Sequence, residues 1–547
     1  MADQPGGGSE ATAQHSLQRS RRLIEALLRP QAYPHPTRTI RLQETHAAWV
    51  VLTGSFAYKV KKPVDYGFLD YSTLDRRRFF CQEEVRLNRR FAPDLYLDVV
   101  SIRGTPAEPR VGGDGPLLEY AVCMRQFPAD GLLSRVAERG RLSRRYIDQM
   151  IEEVAAFHRR ADVAAPQSGY GRAARIHHWV TENFEHIGPP VAGAERTPQL
   201  NRLRRWADGE RERLDAAFEQ RRIHGFVREC HGDLHLGNLT LIDDRVTLFD
   251  CLEFNPELRW IDVMSDVAFL TMDLRDRGYP GFSHRFLNGY LHASGDYAGV
   301  RVLRYYQFYR AMVRAKVAAL RGAQAGTGSP VLRQAREEYR DYLKLASAYT
   351  AQGSPALVLV HGLSGSGKST LAQALCEAQG MISVRSDVER KRLAGLDALS
   401  GSGSALGAGL YTQAATQQTY RRLAELAGLV LDEGYTVLVD ATFLKLAQRQ
   451  RFQALAAGRR VAFAILDCRA PLAELRRRIE ARQGAGADAS EATLAVLDAQ
   501  RAGLEPLSDA ERAVSIEVDT TAADGLAAVV AVLRKRGVIP GRDAAAG

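Results

Sequence analysis

The sequence predicts two halves of different architecture, a bilobal α+β half up to about residue 350 and an α/β half with a parallel sheet after it. Three observations carry this. The apolar run Ala356 to Val360 leads into Gly362-Leu-Ser364-Gly365-Ser366-Gly367-Lys368-Ser369-Thr370, and apolar residues at helical spacing follow it. A dense polar constellation, His231-Gly-Asp233-Leu-His235-Leu-Gly-Asn238, precedes the apolar Val246 to Phe249 and then Asp250. Ahead of both, the order is strands, one helix, strands, then helices.

A chain of 547 residues is too long for one ordinary core, and 45% apolar content is enough to fold two or three. The net charge of +10 and pI near 9.3 suit a polyanionic ligand such as ATP. The basic residues are spread along the chain, without a lysine tail or interleaved aromatics, so nucleic acid is permitted as a partner and not favoured. The six cysteines form no Cys-x-x-Cys pair, which argues against a zinc site and a disulfide framework and for a reducing, cytoplasmic setting. Residues 1–16 are small and polar and predict a loose tail, with no apolar core of a signal peptide. No apolar run approaches the length of a membrane span. No feature of the pattern specifies an oligomeric state.

In chain order, Leu17 to Leu28 predicts a short helix with Ser16 as its cap and Pro30 beyond its end. Ala47–Leu52, Ser55–Lys61, Tyr96–Ile102 and Leu118–Phe127 predict strands, and residues 73–90 an amphipathic helix between them. The long helical pattern from Leu142 then separates a small sheet lobe, 17–127, from a helical lobe, 128–350. The junction at Met124-Arg125-Gln126 is expected to be a hinge whose backbone can meet an adenine edge. The aromatic stripe of residues 301–320 predicts a core-packed helix, and Leu332–Tyr349 another. The second half spans 351–540, with a loose tail at 541–547.

In that half the glycines at 362, 365 and 367 let backbone N–H groups close around a phosphate, with Ser364, Ser366 and Thr370 in the same loop. Lys368 reaches the β- and γ-phosphates, and the Ser369 hydroxyl holds Mg²⁺. Val384-Arg385-Ser-Asp387 ends a second strand, so Asp387 is expected both to cap the next helix and to take a proton from an acceptor hydroxyl. Arg390, one turn on, neutralises phosphate. Asp440 closes the strand Thr436–Val439 and accepts from metal-bound water or Ser369. Arg478 and Arg482 share a helix face, the placement for a lid that clamps phosphates, and GAGADAS at 484–490 is a flexible bend after it.

His231-Gly-Asp233-x-His-x-x-Asn238 with Asp250 and Asp266-Val-Ala resembles the aminoglycoside and choline kinase family, which shares the protein-kinase fold. The resemblance implies Asp233 as the catalytic residue, Asn238 and Asp250 as metal ligands, and His231 and Asp266 as braces. Phe56-Ala57-Tyr-Lys59-Val resembles the strand that carries a phosphate-pairing lysine. Register favours Lys59, with Lys61 on the same side and Lys62 opposite. Its expected partner is Glu83, four residues before Leu87, with Glu84 as the alternate. Thr53-Gly54-Ser55 replaces the longer glycine loop of protein kinases.

Residues 356–535 resemble the P-loop kinases of small molecules and of polynucleotide 5′-hydroxyls, including zeta-toxin-like and gluconate-like enzymes. Arg385-Ser-Asp387-x-x-Arg390 resembles the acceptor motif of polynucleotide kinase. The order of the halves resembles a group of bacterial bifunctional proteins, an aminoglycoside-phosphotransferase-like domain fused to an ATP-binding domain. These resemblances imply ATP and Mg²⁺ as cofactors and small-molecule hydroxyls as acceptors. Two alternatives stay open: the P-loop half as an ATPase switch coupled to a ligand-binding first half, or as a polynucleotide 5′-hydroxyl kinase. Asp387 and Arg390 favour transfer, because a pure switch needs no acceptor base.

Overall fold

Helix α1 (Gly7–Ala26) begins ahead of the expected start at Leu17, so the stretch from Gly7 is helix where a loose tail was expected. Glu10, Ala11, Ala13 and Gln14 are good helix formers that outweigh the preceding glycines. The computed structural model describes residues 7–67, 69–187, 197–326, 328–397, 412–485, 492–522 and 525–541. The outermost tails at 1–6 and 542–547, and most of the bend expected at 484–490, lie outside the described residues.

The chain forms two compact units, Met1–Arg172 with Gln220–Asp266, and Ala173–Glu219 with Val267–Gly547. In the first, β1 (Arg41–Glu44), β2 (Ala48–Leu52), β3 (Phe56–Lys61), β4 (Tyr96–Gly104), β5 (Pro109–Val111) and β6 (Leu117–Arg125) make an antiparallel sheet in the order β1-β2-β3-β6-β4-β5. The edge strands β1 and β5 escaped the sequence reading; every residue of β1 is exposed, so it carries no apolar alternation. Helix α2 (Leu74–Asn88) crosses this sheet, and Thr73 caps it by accepting the Arg76 N–H at 3.2 Å. Strand β3 is interior and alternates, Tyr58 and Val60 packing on the α1 side and Ala57 on the α2 side.

Helices α3 (Leu133–Glu138) and α4 (Arg144–Arg160) follow, then α5 (Ala173–His186) and α6 (Thr197–Ile223). Strand β7 (Val227–Glu229) pairs with β10 (Trp260–Asp262), and β8 (Leu239–Ile242) with β9 (Arg245–Leu248) makes a hairpin. Asp243 and Asp244 form its turn at positive φ, a geometry that Asp tolerates.

The helices α7 (Val263–Asp276), α8 (Pro280–Ser294), α9 (Val300–Gln324) and α10 (Pro330–Thr350) come next. The aromatic stripe of α9 is core, as expected: Tyr305, Tyr306 and Phe308 are buried. The second unit also holds β11 (Ala356–His361), α11 (Lys368–Gln379), β12 (Ile382–Arg385), α12 (Ser386–Leu393), α13 (Gln413–Asp432), β13 (Val437–Asp440), α14 (Leu446–Arg459), β14 (Ala462–Arg469), α15 (Leu472–Ala485), α16 (Leu494–Ala502), α17 (Asp509–Val514), β15 (Ser515–Asp519) and α18 (Gly525–Lys535). Its strands are all parallel, in the order β12-β13-β11-β14-β15. Strand β11 is central and buried throughout, as its continuous apolar run requires. Val358 and Val360 pack with Leu371 and Leu375 of α11 and with Val529 and Leu533 of α18. This fixes the glycine loop at the carboxyl end of the sheet, where open α/β sheets bind ligands.

Candidate active sites

In the first unit, β3 aims Lys59 and Lys61 at one carboxylate. Lys59 Nζ lies 2.8 Å from Glu84 Oε1 and 2.5 Å from Asp250 Oδ1; Lys61 Nζ lies 2.7 Å from Glu84 Oε2 and also pairs with Glu253. The Tyr71 hydroxyl donates to the same Glu253 carboxylate. The partner of Lys59 is therefore Glu84, and the expectation of Glu83 is corrected. Glu83 turns away to Arg86, at 2.8 Å, and Arg259, at 3.3 Å. Helical spacing explains this: Glu84 shares the inward stripe of Cys81 and Asn88, three and four residues away, and Glu83 does not. Lys62 faces the other side, pairing with Glu44 at 2.7 Å.

Burial opposes the charge on Lys59, but Asp250, Glu84 and Glu253 outweigh it and hold its pKa well above the usual lysine value. Burial would push Glu253 up; Lys61 and Lys59 instead hold it below the usual glutamate range. Sequence reasoning gave Glu253 no role, and its one signal is position, three residues after Asp250.

The His231–Asn238 loop is tied from both sides. Asp266 accepts the backbone N–H groups of His231, at 2.8 Å, and Gly232, at 3.0 Å, while His231 Nε2 lies 2.9 Å from the Phe249 carbonyl. Burial lowers the His231 pKa, which keeps the ring neutral and suits that bond to a carbonyl. Gly232 has φ +83°, and a Cβ there would stand 2.7 Å from the Leu258 carbonyl oxygen. Asn238 Nδ2 donates to Asp233 Oδ2 at 2.9 Å, and His235 Nε2 is 3.4 Å from the same oxygen. The Phe249 N–H donates to the Asn238 carbonyl at 3.1 Å, and the Asp250 N–H to Tyr96 Oη at 2.9 Å. The carboxylates of Asp233 and Asp250 both keep 41% side-chain exposure, so a ligand can reach each of them.

In the second unit a cavity of about 540 Å³ is lined by Ser364, Gly365, Gly367, Lys368, Ser369 and Thr370, and by Asp387, Arg390, Asp440, Arg478 and Arg482. The fold thus gathers into one space residues spread over more than a hundred positions of sequence. Gly362 and Ser366 line a second cavity, beneath the loop beside His361. Gly365 sits at φ +82°, and a Cβ there would stand 2.7 Å from the Leu475 carbonyl oxygen. Lys368 Nζ donates to the Leu363 carbonyl at 2.6 Å, and Gln500 Oε1 accepts the Ser364 N–H at 2.8 Å. Burial lowers the Lys368 pKa, with Asp440 pulling it back only in part.

Asp387 is not the helix cap that its position suggested. Strand β12 ends at Arg385 and α12 starts at Ser386, so Arg385 occupies the cap position and Asp387 lies within the first helical turn. Arg385 Nε lies 3.5 Å from Asp440, and an Arg390 guanidinium nitrogen donates to Thr416 Oγ1 at 3.3 Å. Arg478 is anchored by Glu474, at 2.6 Å, and by Thr520 Oγ1, at 3.0 Å. Gln500 and Thr520 were not singled out in sequence, because loop chemistry leaves no mark that far along the chain.

Residues 81–303 match the phosphotransferase enzyme family and residues 357–507 the AAA domain. An uncharacterized protein of Mycobacterium tuberculosis, Rv2004c, is 32% identical over 466 residues, covering 85% of this chain and 90% of its own; the Mycobacterium bovis protein Mb2027c gives the same figures. Among solved structures, a choline/ethanolamine kinase family protein from Mesorhizobium loti aligns over 61% of this chain and 98% of its own, at 12% identity and a TM-score of 0.38. A sugar kinase from Janibacter sp. HTCC2649 aligns over 34% and 99%, at 23% identity and a TM-score of 0.28. No described helix is long and apolar enough to cross a membrane. The chain belongs to the family of these mycobacterial proteins, and with a phosphotransferase-family domain followed by an AAA-type ATP-binding domain it is an ATP-dependent phosphotransferase.

Proposed function

We propose that the chain transfers the γ-phosphoryl group of ATP to hydroxyl groups of small molecules at two separate sites. The observation that carries this reading is the cavity of the second unit, lined both by Lys368 and Ser369 and by Asp387 and Arg390. A nucleotide-hydrolysing switch needs no base for an acceptor hydroxyl, so a carboxylate in the cavity of the phosphate loop favours transfer, whereas an arginine there serves either reaction.

In the first site Asp233 accepts the proton of the acceptor hydroxyl as that oxygen attacks phosphorus. The Asn238 amide fixes one carboxylate oxygen for this task. Lys59, held charged by its carboxylates, pairs with ATP phosphate. In the second site Asp387 receives the acceptor proton, Lys368 and the loop N–H groups bind the β- and γ-phosphates, and Arg390, Arg478 and Arg482 offset charge on the transferring group. Asn238 with Asp250, and Ser369 with Asp440, are hard oxygen donors of the kind Mg²⁺ takes, and they are the residues that would hold it. Bound there, Mg²⁺ supplies charge neutralisation at the phosphates. Six free, buried cysteines fit a reducing cytoplasm, where ATP is abundant.

The test is transfer from γ-labelled ATP by the full chain, offered pooled metabolite extract or a 5′-hydroxyl oligonucleotide. Labelled small molecules lost in Asp233→Asn or Asp387→Ala support the reading and assign each site. Label on the oligonucleotide, lost in Asp387→Ala, replaces it with end phosphorylation for the second site. Free phosphate alone, lost in Lys368→Ala, replaces it with the switch.

A further inference from the structure

Strand β12 is an edge of the parallel sheet, pairing with β13 alone. An open edge exposes unpaired N–H and C=O groups and is normally covered. Here the cover comes from helix α8, which belongs to the phosphotransferase-family sequence. The Asn288 side chain stands in for a neighbouring strand: its Oδ1 accepts the Ser383 N–H at 2.7 Å, and its Nδ2 donates to the Met381 carbonyl at 3.0 Å. The Ser383 hydroxyl also donates to Asn288 Oδ1, at 3.1 Å. His292 Nε2 lies 2.9 Å from Ser383 Oγ and 3.2 Å from the Ser383 carbonyl oxygen, which also accepts the Tyr297 hydroxyl at 3.2 Å. Both free backbone groups of Ser383 are thereby satisfied.

The same helix holds the other end of the segment. Arg392, in the last turn of α12, donates to the His292 carbonyl, and its Nε would stand 2.7 Å from a Cβ placed on Gly295, the residue that ends α8. One turn before the edge strand, Glu377 of α11 pairs with Arg285 at 2.5 Å, and its carbonyl oxygen lies 2.9 Å from His284 Nδ1. Between the two anchors, strand runs into helix with no loop residue, Arg385 to Ser386, and there stand Asp387 and Arg390. Without slack in the backbone, a shift of β12 moves both side chains in the cavity.

We infer that helix α8 is a working part of the P-loop site: it pins the segment 381–393 at both ends, and Asn288 and His292 are positioning residues for Asp387 and Arg390. The inference rests on the transfer reading for the role of Asp387, but the pinning itself is tested without it. Burial, reinforced by Arg385, lowers the His292 pKa to about 3, so the ring that meets Ser383 is neutral.

The experiment uses the full chain carrying Asp233→Asn and Lys59→Met, so that only the second site binds nucleotide and transfers. Asn288→Ala is compared with Asn288→Asp, which keeps the acceptor for the Ser383 N–H, and with the milder Tyr297→Phe. Amide hydrogen exchange of residues 381–393 should accelerate about tenfold or more in Asn288→Ala, with α11 and β13 still protected. Labelling of an acceptor from pooled metabolite extract should fall about tenfold while the Kd for Mg·ADP moves less than about twofold, and Asn288→Asp should recover part of both losses. Unchanged exchange at 381–393 overturns the inference. So does acceleration spread equally over α11 and β13, or a transfer loss matched by a loss of nucleotide affinity, since either marks general loosening. If the parent labels no acceptor, the transfer reading fails by itself, and the exchange of Asn288→Ala and Tyr297→Phe still decides the pinning.

Discussion

Lys59 and Lys368 hold corresponding places in the two proposed sites, and their surroundings are opposites. Around Lys59 the fold collects Glu84, Asp250 and Glu253, from residues nearly two hundred positions apart, and their charges hold the ammonium charged against its burial. Around Lys368 the fold collects backbone: a turn of glycines, a helix start and the Leu363 carbonyl, and burial makes the ammonium less favourable than usual. The first site is organised by a carboxylate network built in advance. The second is organised by main-chain geometry of a kind that suits anions. A network of charges is sensitive to the loss of any member, whereas a loop of N–H groups is sensitive to backbone shape and to the one cation that completes it.

The largest effects should fall on the reacting groups themselves, and they should not cross over. On the proposed mechanism Asp233→Asn removes the proton acceptor of the first site and should lower its transfer by about 10³-fold, leaving the second site unchanged. Lys368→Ala should silence the second site by a similar factor and spare the first. Labelled-product assays on the full chain read both. A loss in both sites from either substitution would mean that the two sites are not separate.

The next effect separates adjacent glutamates. Glu84→Gln leaves Lys59 and Lys61 without their shared partner in a buried setting and should destabilise by about 3–5 kcal/mol. Glu83→Gln weakens pairs with the half-exposed Arg86 and with Arg259 and should cost about 1 kcal/mol. Urea unfolding of the two variants measures the difference; equal values would remove Glu84 from its place in the network.

This pair also marks what the sequence makes legible. The glycine loop, its strand and its helix are contiguous, so their chemistry is written in order and can be read directly. Asp233, Asn238 and Asp250 are likewise close in sequence. Glu84 was the alternate because motif spacing pointed to Glu83; the choice turns on which face of α2 meets β3, and that is a matter of packing. Glu253 and the Asn288 brace are less legible still. Each acts on a partner far along the chain, and an isolated polar residue on a helix or turn looks the same whether it faces solvent or a strand edge.

Acid should loosen the first network as Glu253 takes up a proton. Glu253 is held below the ordinary glutamate range by Lys61 and Lys59, so it binds a proton more readily unfolded than folded. Its contribution is fully present above the unfolded value, about 4.3, and is lost as pH falls through the lower folded value. Stability of the full chain should therefore drop below about pH 4.3, and Glu253→Gln should flatten that part of the profile.

The smallest effect is at alkaline pH, and it tests the contrast between the lysines themselves. In the free second site the Lys368 pKa is lowered, chiefly by burial. A bound phosphate stabilises the ammonium and raises that pKa again, so nucleotide binding must take up protons wherever pH lies between the two values. The Kd for ADP then weakens as pH rises through that interval. At Lys59 the carboxylates already hold the ammonium, so binding there has no proton to recruit over the same range. Calorimetry at about pH 9 in buffers of different ionisation enthalpy, an interval chosen to lie below the ordinary lysine value of about 10.4, resolves this. With the first site blocked by Lys59→Met, binding should carry a fraction of a proton, and with the second blocked by Lys368→Ala it should carry none. Equal uptake in both would mean that the carboxylates around Lys59 do not preset its charge.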